Sequence, residues 1–472
     1  MTEDYTKNQL LNYPESQFED CPEKKTEEQR YEETIHQLKK LTKFGINLGL
    51  DRIISLLQRL GNPQENLKII HIGGTNGKGS TAALLQAILK QAGYRVGMFV
   101  SPHLHDYRER ISINGELISP GEVIDGFGKI QPILKTMVAE GVEHPTEFEV
   151  STALAVAFLY FFQKQPDFVL LEVGLGGEID STNVVTPLIT VLTSIGMDHM
   201  DYLGNTLEEI TTVKAGIIKE GIPVVTSADK PEALKVIKKQ AKKKKAKLLK
   251  VGQDIFWQRA EEKGNSFNSF NYHGLKEEFH DLELALHGEH QFTNATTALA
   301  VCEVLRDQYA VGIPENAIRE GLKNVSWPGR LELVSLEPKI LLDGAHNVDG
   351  MKVLAKALAD YEDDLYRRER LVLCLGMLKD KEIEKAIEVI VPLAAEIIVT
   401  KPDSPRAGDW EYVARLAERY LGEDRVHTVE DPTHAIQEAL KRLNPRDMLC
   451  VTGSLYMISP VRQYLLEHFA FS

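Results

Sequence analysis

Only four cysteines occur in 472 residues, Cys21, Cys302, Cys374 and Cys450, and no two are spaced as a C-x-x-C pair. Neither a zinc cluster nor a disulfide framework is expected from them, and a reducing compartment fits. Positive charge is also in deficit: 55 Lys and Arg against 69 Asp and Glu leave a net charge of −14. That sign argues against nucleic acid or an anionic membrane surface as the main partner. Long apolar runs are missing too. The longest, Ala153 to Phe162, is too short to span a bilayer and predicts a buried helix. Residues 1–30 are polar and rich in Glu, Lys and Gln, unlike a secretory signal, so a cytoplasmic location is expected. The remaining composition, 43% hydrophobic and 26% charged, is that of a soluble globular chain too long for one core.

What is present is concentrated at residues 69–80, IIHIGGTNGKGS, followed by TAALLQAILKQAG. An apolar β-branched run ends in a glycine turn, a lysine and an amphipathic helical pattern. A phosphate-binding loop needs that order: backbone N–H groups and a helix N-terminus face the anion, and the lysine reaches the terminal phosphates. Thr75, Asn76, Gly77, Lys78, Gly79 and Ser80 are the candidate nucleotide ligands. One position departs from G-x-x-x-x-G-K-[ST]. Gly79 stands where the metal-binding hydroxyl belongs, so a metal ion has to find other ligands.

Open α/β sheets bind ligands at the carboxyl ends of their strands. VGMFVSPHL puts Ser101 just past one strand, FVLLEVGLGG puts Glu172 at the end of another, and SIGMDHMDYLG puts Asp198 and His199 after a third. Ser, Glu and His around a phosphate loop suit an oxygen-rich Mg²⁺ site, with the histidine serving a second ion. Each residue alone has a plainer reading as a turn, a strand-end carboxylate or a structural histidine. TTVKAGIIK sets Lys214 among small and apolar neighbours, where a lysine must be paired, modified or extended to solvent.

Residues 1–29 read as a flexible acidic leader. A helical pattern over Tyr31–Leu41, then KFGINLGLDR, then a second helix to Leu60 give way to β-rich runs at 68–72, 95–100, 167–173, 188–195 and 222–226, with helical stretches between them. Residues 255–286, aromatic and alternating, predict a small β-meander before a helix at 290–308. SWPGRLE at 326–332 predicts a hinge, and strands at 339–343, 370–376, 396–400 and 447–452 alternate with helices beyond it. The expected class is α/β: a P-loop ATPase domain with a mostly parallel sheet over 30–326, then a smaller Rossmann-like α/β domain over 327–472. The lysine-rich run Lys235–Lys250 has the spacing of a solvated helix face.

KFGINLGLDR, GTNGKGS, SPHLHDYRERI, TEFEVST, EVGLGGEIDSTN, DHMDYLGNTLEEI, KAGIIK, HQFTNATTALA, PGRLE, DGAHN and TGS follow one another from about residue 30 to the C-terminus. In that order they resemble the folylpolyglutamate synthase/dihydrofolate synthase family, part of the Mur-ligase-like ATP-dependent amide ligases. The resemblance implies ATP as cosubstrate, held by Thr75 to Ser80 with Asn294, Arg330 and Asp343. It implies two Mg²⁺ ions, the first on Ser101 and Glu172 and the second on His199, with Lys214 carbamylated beside it. It implies a pterin site at Ile46, Asn47, Leu48, Gly49, Thr146, Glu147, Phe148, Glu149, Ile179, Asp180 and Ser181, and an L-glutamate site at His346 and Ser454. The catalytic set is then Lys78, Lys214 and His346. Two residues depart from the family pattern: Glu178 replaces an arginine, and Val213 replaces a glutamate before Lys214. The resemblance implies a monomer acting on small molecules. It leaves open dihydrofolate synthesis, polyglutamate extension or both. Another Mur-type ligase and a non-catalytic ATP-binding homologue are the alternatives.

Overall fold

The apolar run ahead of the glycine loop is the central strand of an eight-stranded sheet. In the computed structural model, which describes residues 25–40, 49–141, 149–260, 268–360 and 366–469, this strand is β1 (Ile69–Gly73). The others are β2 (Val96–Phe99), β3 (Ile111–Ile113), β4 (Glu116–Leu117), β5 (Phe168–Glu172), β6 (Ile189–Leu192), β7 (Val224–Thr226) and β8 (Leu248–Lys250). Their order is β4-β3-β2-β5-β1-β6-β7-β8. All pairings are parallel except the β2–β3 and β3–β4 edge, which is antiparallel. Every residue of β1 and β5 is buried, because helices cover both faces. The short edge hairpin was not legible in the sequence, since strands of two or three residues carry too little alternation to register.

The sheet positions the site through its register. β1 lies between β5 and β6, with Ile72 beside Glu172 and Gly73 beside Leu192. Glu172 therefore ends level with the start of the loop. The helix Lys78–Gln91 leaves the loop and buries Leu84, Leu85, Ile88 and Leu89 against the sheet and the helix Glu289–Tyr309. The opposite face is closed by the helices Asp51–Arg59, Pro120–Ala139 and Glu149–Lys164. The predicted meander is present as β9 (Phe256–Arg259), β10 (Ser269–His273) and β11 (Glu278–Glu283), an antiparallel sheet anchored by Phe270 on Phe292 at 5.2 Å between ring centroids.

Beyond the predicted hinge a second sheet forms from β12 (Glu332–Leu336), β13 (Lys339–Leu342), β14 (Leu371–Leu375), β15 (Glu396–Val399), β16 (Val426–Thr428) and β17 (Met448–Thr452). Its order is β12-β13-β17-β14-β15-β16, parallel apart from β12. The α/β class and the mostly parallel first sheet are as expected. Residues 1–24 of the predicted leader, and Ile46, Asn47, Leu48, Thr146, Glu147 and Phe148, lie outside the described residues. Among the described residues no helix is long and apolar enough to cross a membrane. Cys302, Cys374 and Cys450 are free and buried.

His71, in the middle of β1, is fully buried with Nε2 2.9 Å from Thr182 Oγ1. Burial, helped by Lys219, lowers its pKa to about 3. An unfolded chain takes up this proton near pH 6.5 and the native chain only near 3, so stability is complete above that window and is lost as pH falls through it. The loss attributable to His71 is on the order of 4 kcal/mol. Urea midpoints measured from pH 7 to pH 4 should fall, and His71→Gln should flatten that fall. An unchanged slope in the variant would assign the acid sensitivity elsewhere.

Candidate active site

The loop, the strand ends and the second lobe converge on one cleft of about 770 Å³. Thr75 to Ser80 line it together with Ser101, Glu172, His199, Lys214, Asn294, Arg330, Asp343 and His346. The loop is fixed from its neighbours. Thr75 N–H donates to Ser194 O at 2.7 Å, and Thr75 Oγ1 accepts from Gly196 N–H at 3.0 Å. Gly77 caps the helix Lys78–Gln91 with φ +89°, and a Cβ there would stand 2.5 Å from Asn294 Oδ1. A side chain at this position is thus excluded both by backbone conformation and by space. Lys78 Nζ donates to Gly74 O at 3.3 Å and Thr75 O at 3.1 Å, and lies 3.9 Å from Glu172 Oε1.

Glu172 is buried, and its carboxylate accepts a long hydrogen bond from Ser101 N–H at 3.4 Å. Burial outweighs Lys78 and raises its pKa. A buried carboxylate next to Ser101 in the cleft lining has the chemistry of a hard-cation ligand. His199, with φ +52°, is the other candidate. Burial, followed by the charge of Lys381, lowers its pKa to about 4, which leaves a neutral imidazole able to donate a lone pair. Among the described residues no group of three or more His, Cys, Asp and Glu gathers to hold an ion by itself.

Lys214 ends the helix Leu207–Lys214 and is 4% exposed. Its Nζ donates to Gly74 O at 3.1 Å, the same carbonyl that Lys78 approaches. Burial first, and Lys78 second, lower the Lys214 pKa to about 7. Two ammonium groups on one carbonyl are mutually unfavourable, so Lys214 is poised to be neutral. In the second lobe, Asp343 accepts from Leu331 N–H and Ala345 N–H, both at 2.9 Å, and its pKa is raised by burial despite Arg330.

Of the groups that join the lobes, Asn347 and Lys381 had no site role in the sequence reading, and the pairing of Asn76 and Asp198 with them was not foreseen. Asn76 and Asn347 exchange two side-chain hydrogen bonds, at 3.2 and 3.1 Å, across the cleft. Asn347 Nδ2 also donates to Asp198 Oδ2 at 3.0 Å, and Lys381 Nζ donates to Asp198 Oδ1 at 2.6 Å. Burial pushes the Asp198 pKa up, but His346, His199 and Lys381 together hold it well below the usual range. The Lys381 side chain is only 4% exposed, yet in sequence it is indistinguishable from a surface lysine. Removing one partner of a buried pair strands the other charge. Lys381→Met should therefore cost about 3 kcal/mol of unfolding free energy, read from urea denaturation. A cost near zero would show that Asp198 is satisfied without it.

Several predicted residues lie outside the lining of this cleft. Asp180 is buried, but its carboxylate is taken up by Leu175 N–H at 2.7 Å and Thr182 N–H at 2.9 Å. Ser181 opens the short 3₁₀ turn that follows, and Ile179 is partly exposed. Ser454 caps the helix Leu455–His468, accepting from Tyr456 N–H at 3.2 Å. Glu149 begins the helix Glu149–Lys164, and Gly49 has φ +150°, with no atom of the described residues within 4 Å of where a Cβ would stand. Of the two departures, Glu178 is exposed, and Val213 packs on the small apolar cluster of Leu175, Leu203 and Ile210.

Residues 72–302 match the family described as Mur ligase middle domain, and residues 329–455 match Mur ligase, glutamate ligase domain. The chain is similar to the dihydrofolate synthase/folylpolyglutamate synthase of Bacillus subtilis (strain 168), 39% identical over 429 residues, 90% of this chain and 96% of the relative. It is also similar to the folylpolyglutamate synthase of Lacticaseibacillus casei, at 36% over 92% of this chain and 97% of the relative. Among solved structures, Mycobacterium tuberculosis folylpolyglutamate synthase complexed with ADP and AMPPCP superposes with a TM-score of 0.85 at 31% identity, covering 93% of this chain and 99% of that one.

Proposed function

Because the chain belongs to the folylpolyglutamate synthase/dihydrofolate synthase family of Mur-type ligases, we propose that it joins L-glutamate to the carboxylate of a pteroate or folate at the cost of ATP. The carboxylate attacks the γ-phosphate, ADP leaves, and the amine of glutamate then displaces phosphate from the acyl phosphate. Phosphorylation is needed because a carboxylate is a poor electrophile and oxide a poor leaving group. The observation that carries this reading is the cleft itself. One lobe supplies the phosphate loop and the acid groups, the other supplies Arg330, Asp343 and His346, and all line one space.

In this proposal Thr75 to Ser80 cradle the phosphates, and Lys78 neutralises charge that builds on the transferred phosphoryl group. Asn294, Arg330 and Asp343 hold the nucleotide. Ser101 and Glu172 would hold one Mg²⁺, and His199 with a carbamylated Lys214 a second; such ions supply charge neutralisation at the phosphoryl oxygens. His346 donates its Nδ1–H to Gly344 O at 2.8 Å and sets Nε2 3.7 Å from Asp198, on the interlobe face where the amine must arrive. The pterin positions Ile46 to Gly49, Thr146 to Glu149 and Ile179 to Ser181, and the glutamate position Ser454, belong to the proposal on the strength of the resemblance. With both lobes of the cleft supplied by one chain, the reading is of a monomeric, cytoplasmic enzyme acting on small molecules rather than on nucleic acid or membranes.

A ligation assay with dihydropteroate, tetrahydrofolate and its polyglutamates, each with ATP and L-glutamate, tests it. Product one glutamyl residue longer from at least one acceptor is expected, and the pattern of acceptors separates dihydrofolate synthesis from chain extension. Turnover of a UDP-muramoyl precursor alone, or ATP binding with no turnover, would overturn it.

A further inference from the structure

Gly79 stands inside the helix Lys78–Gln91, and its φ is not in the left-handed region, so its backbone does not call for glycine. Gly79 is the second residue of that helix, and what excludes a side chain here is packing. A Cβ at Gly79 would stand 2.9 Å from Cζ2 of Trp327, 3.1 Å from Nε1 and 3.2 Å from Cε2. Trp327 belongs to the hinge segment 326–332, is partly buried against the core around this helix, and is followed three residues later by Arg330 of the nucleotide cleft. The indole also walls a second cavity of about 660 Å³, which meets the nucleotide cleft at Gly79, Ser101, Glu172 and Arg330.

We propose that Trp327 is a positioning residue that ties the phosphate loop to the interlobe hinge, and that Gly79 is glycine in order to seat its indole. Displacement of the loop by bound phosphates is then passed to the hinge through this contact, and from the hinge to Arg330 and the second lobe. The metal-binding hydroxyl of an ordinary phosphate loop is missing here because the indole leaves no room for it. The inference rests on nucleotide binding by the loop and is independent of which folate is the acceptor.

The test is a double-mutant cycle on the full chain, reading MgADP affinity by calorimetry with thermal midpoints as a folding control. Gly79→Ala alone should weaken MgADP about tenfold, and Trp327→Leu, which lacks the six-membered ring, about threefold. Adding Gly79→Ala to Trp327→Leu should cost less than about twofold more. Because Trp257 also lines the nucleotide cleft, emission is read in Trp257→Phe: MgADP should change its indole emission, and that change should vanish when Trp327→Phe is added, where Trp410 remains. Equal cost of Gly79→Ala in both backgrounds would mean that the phosphates themselves require the glycine and would overturn the proposal, as would no cost in either. Failure of the unmutated protein to bind MgADP would instead undo the nucleotide-loop assignment.

Discussion

Lys78→Ala should lower folate-dependent ADP formation by about a thousandfold or more, with a much smaller change in nucleotide affinity. The reason is where Lys78 sits. Its ammonium rests on the carbonyls of Gly74 and Thr75, 3.9 Å from the Glu172 carboxylate, at the carboxyl end of the central strand. Phosphates entering the loop would take those contacts over, and the charge of Lys78 would then oppose the negative charge that grows on the transferred group. Removing it spares the backbone N–H groups of the loop, which are enough to hold a nucleotide. Single-turnover measurement of ADP separates the two effects. Retention of full activity would show that Lys78 has no part in the phosphoryl step.

The second large effect is at Lys214. Its pKa of about 7 leaves a substantial neutral fraction at physiological pH, and only a neutral amine adds carbon dioxide, losing a proton to leave a carboxylate. Lys214→Arg keeps a positive charge but forecloses that chemistry, and should cost about a hundredfold to a thousandfold in turnover. Nuclear magnetic resonance with ¹³C-labelled bicarbonate should show a carbamate signal in the unmutated protein and none in the variant. The pH dependence has a definite sign. In carbon-dioxide-free buffer the unfolded chain keeps the Lys214 proton up to its ordinary pKa of 10.5 while the native chain sheds it near 7. Stability from this group therefore rises with pH across that window. Carbamylation removes the rise. An active enzyme with no carbamate signal, or an active Lys214→Arg variant, would return Lys214 to a purely packing role.

The parts of this site that were legible in the sequence are those whose signals are local. A β-branched run, a glycine turn and a helical pattern in succession can hardly be anything but a strand, loop and helix, so Thr75 to Ser80 followed directly. Glu172, Ser101 and His199 could be found because strand ends meet loops at one edge of a parallel sheet. Contacts between lobes were not legible. Asn76 and Asn347 are 271 positions apart, and nothing in the lysine of LKDKE distinguishes Lys381 from the solvated lysines of the helix Pro231–Lys243. Asp180 marks the opposite limit: a carboxylate type that suits substrate binding here accepts from the backbone of its own turn. Gly79 looked like a defect of the metal site, and its reason lies in the hinge, where only the folded chain brings Trp327 against it.

The central claim is that ATP activates a substrate carboxylate as an acyl phosphate. Oxygen transfer tests it most directly. A pteroate or folate acceptor labelled with ¹⁸O in the reacting carboxyl group, turned over with ATP and L-glutamate, should pass one labelled oxygen to the inorganic phosphate for each amide formed. Phosphate without label alongside labelled amide product, or ATP hydrolysis that ignores the acceptor, would contradict the account.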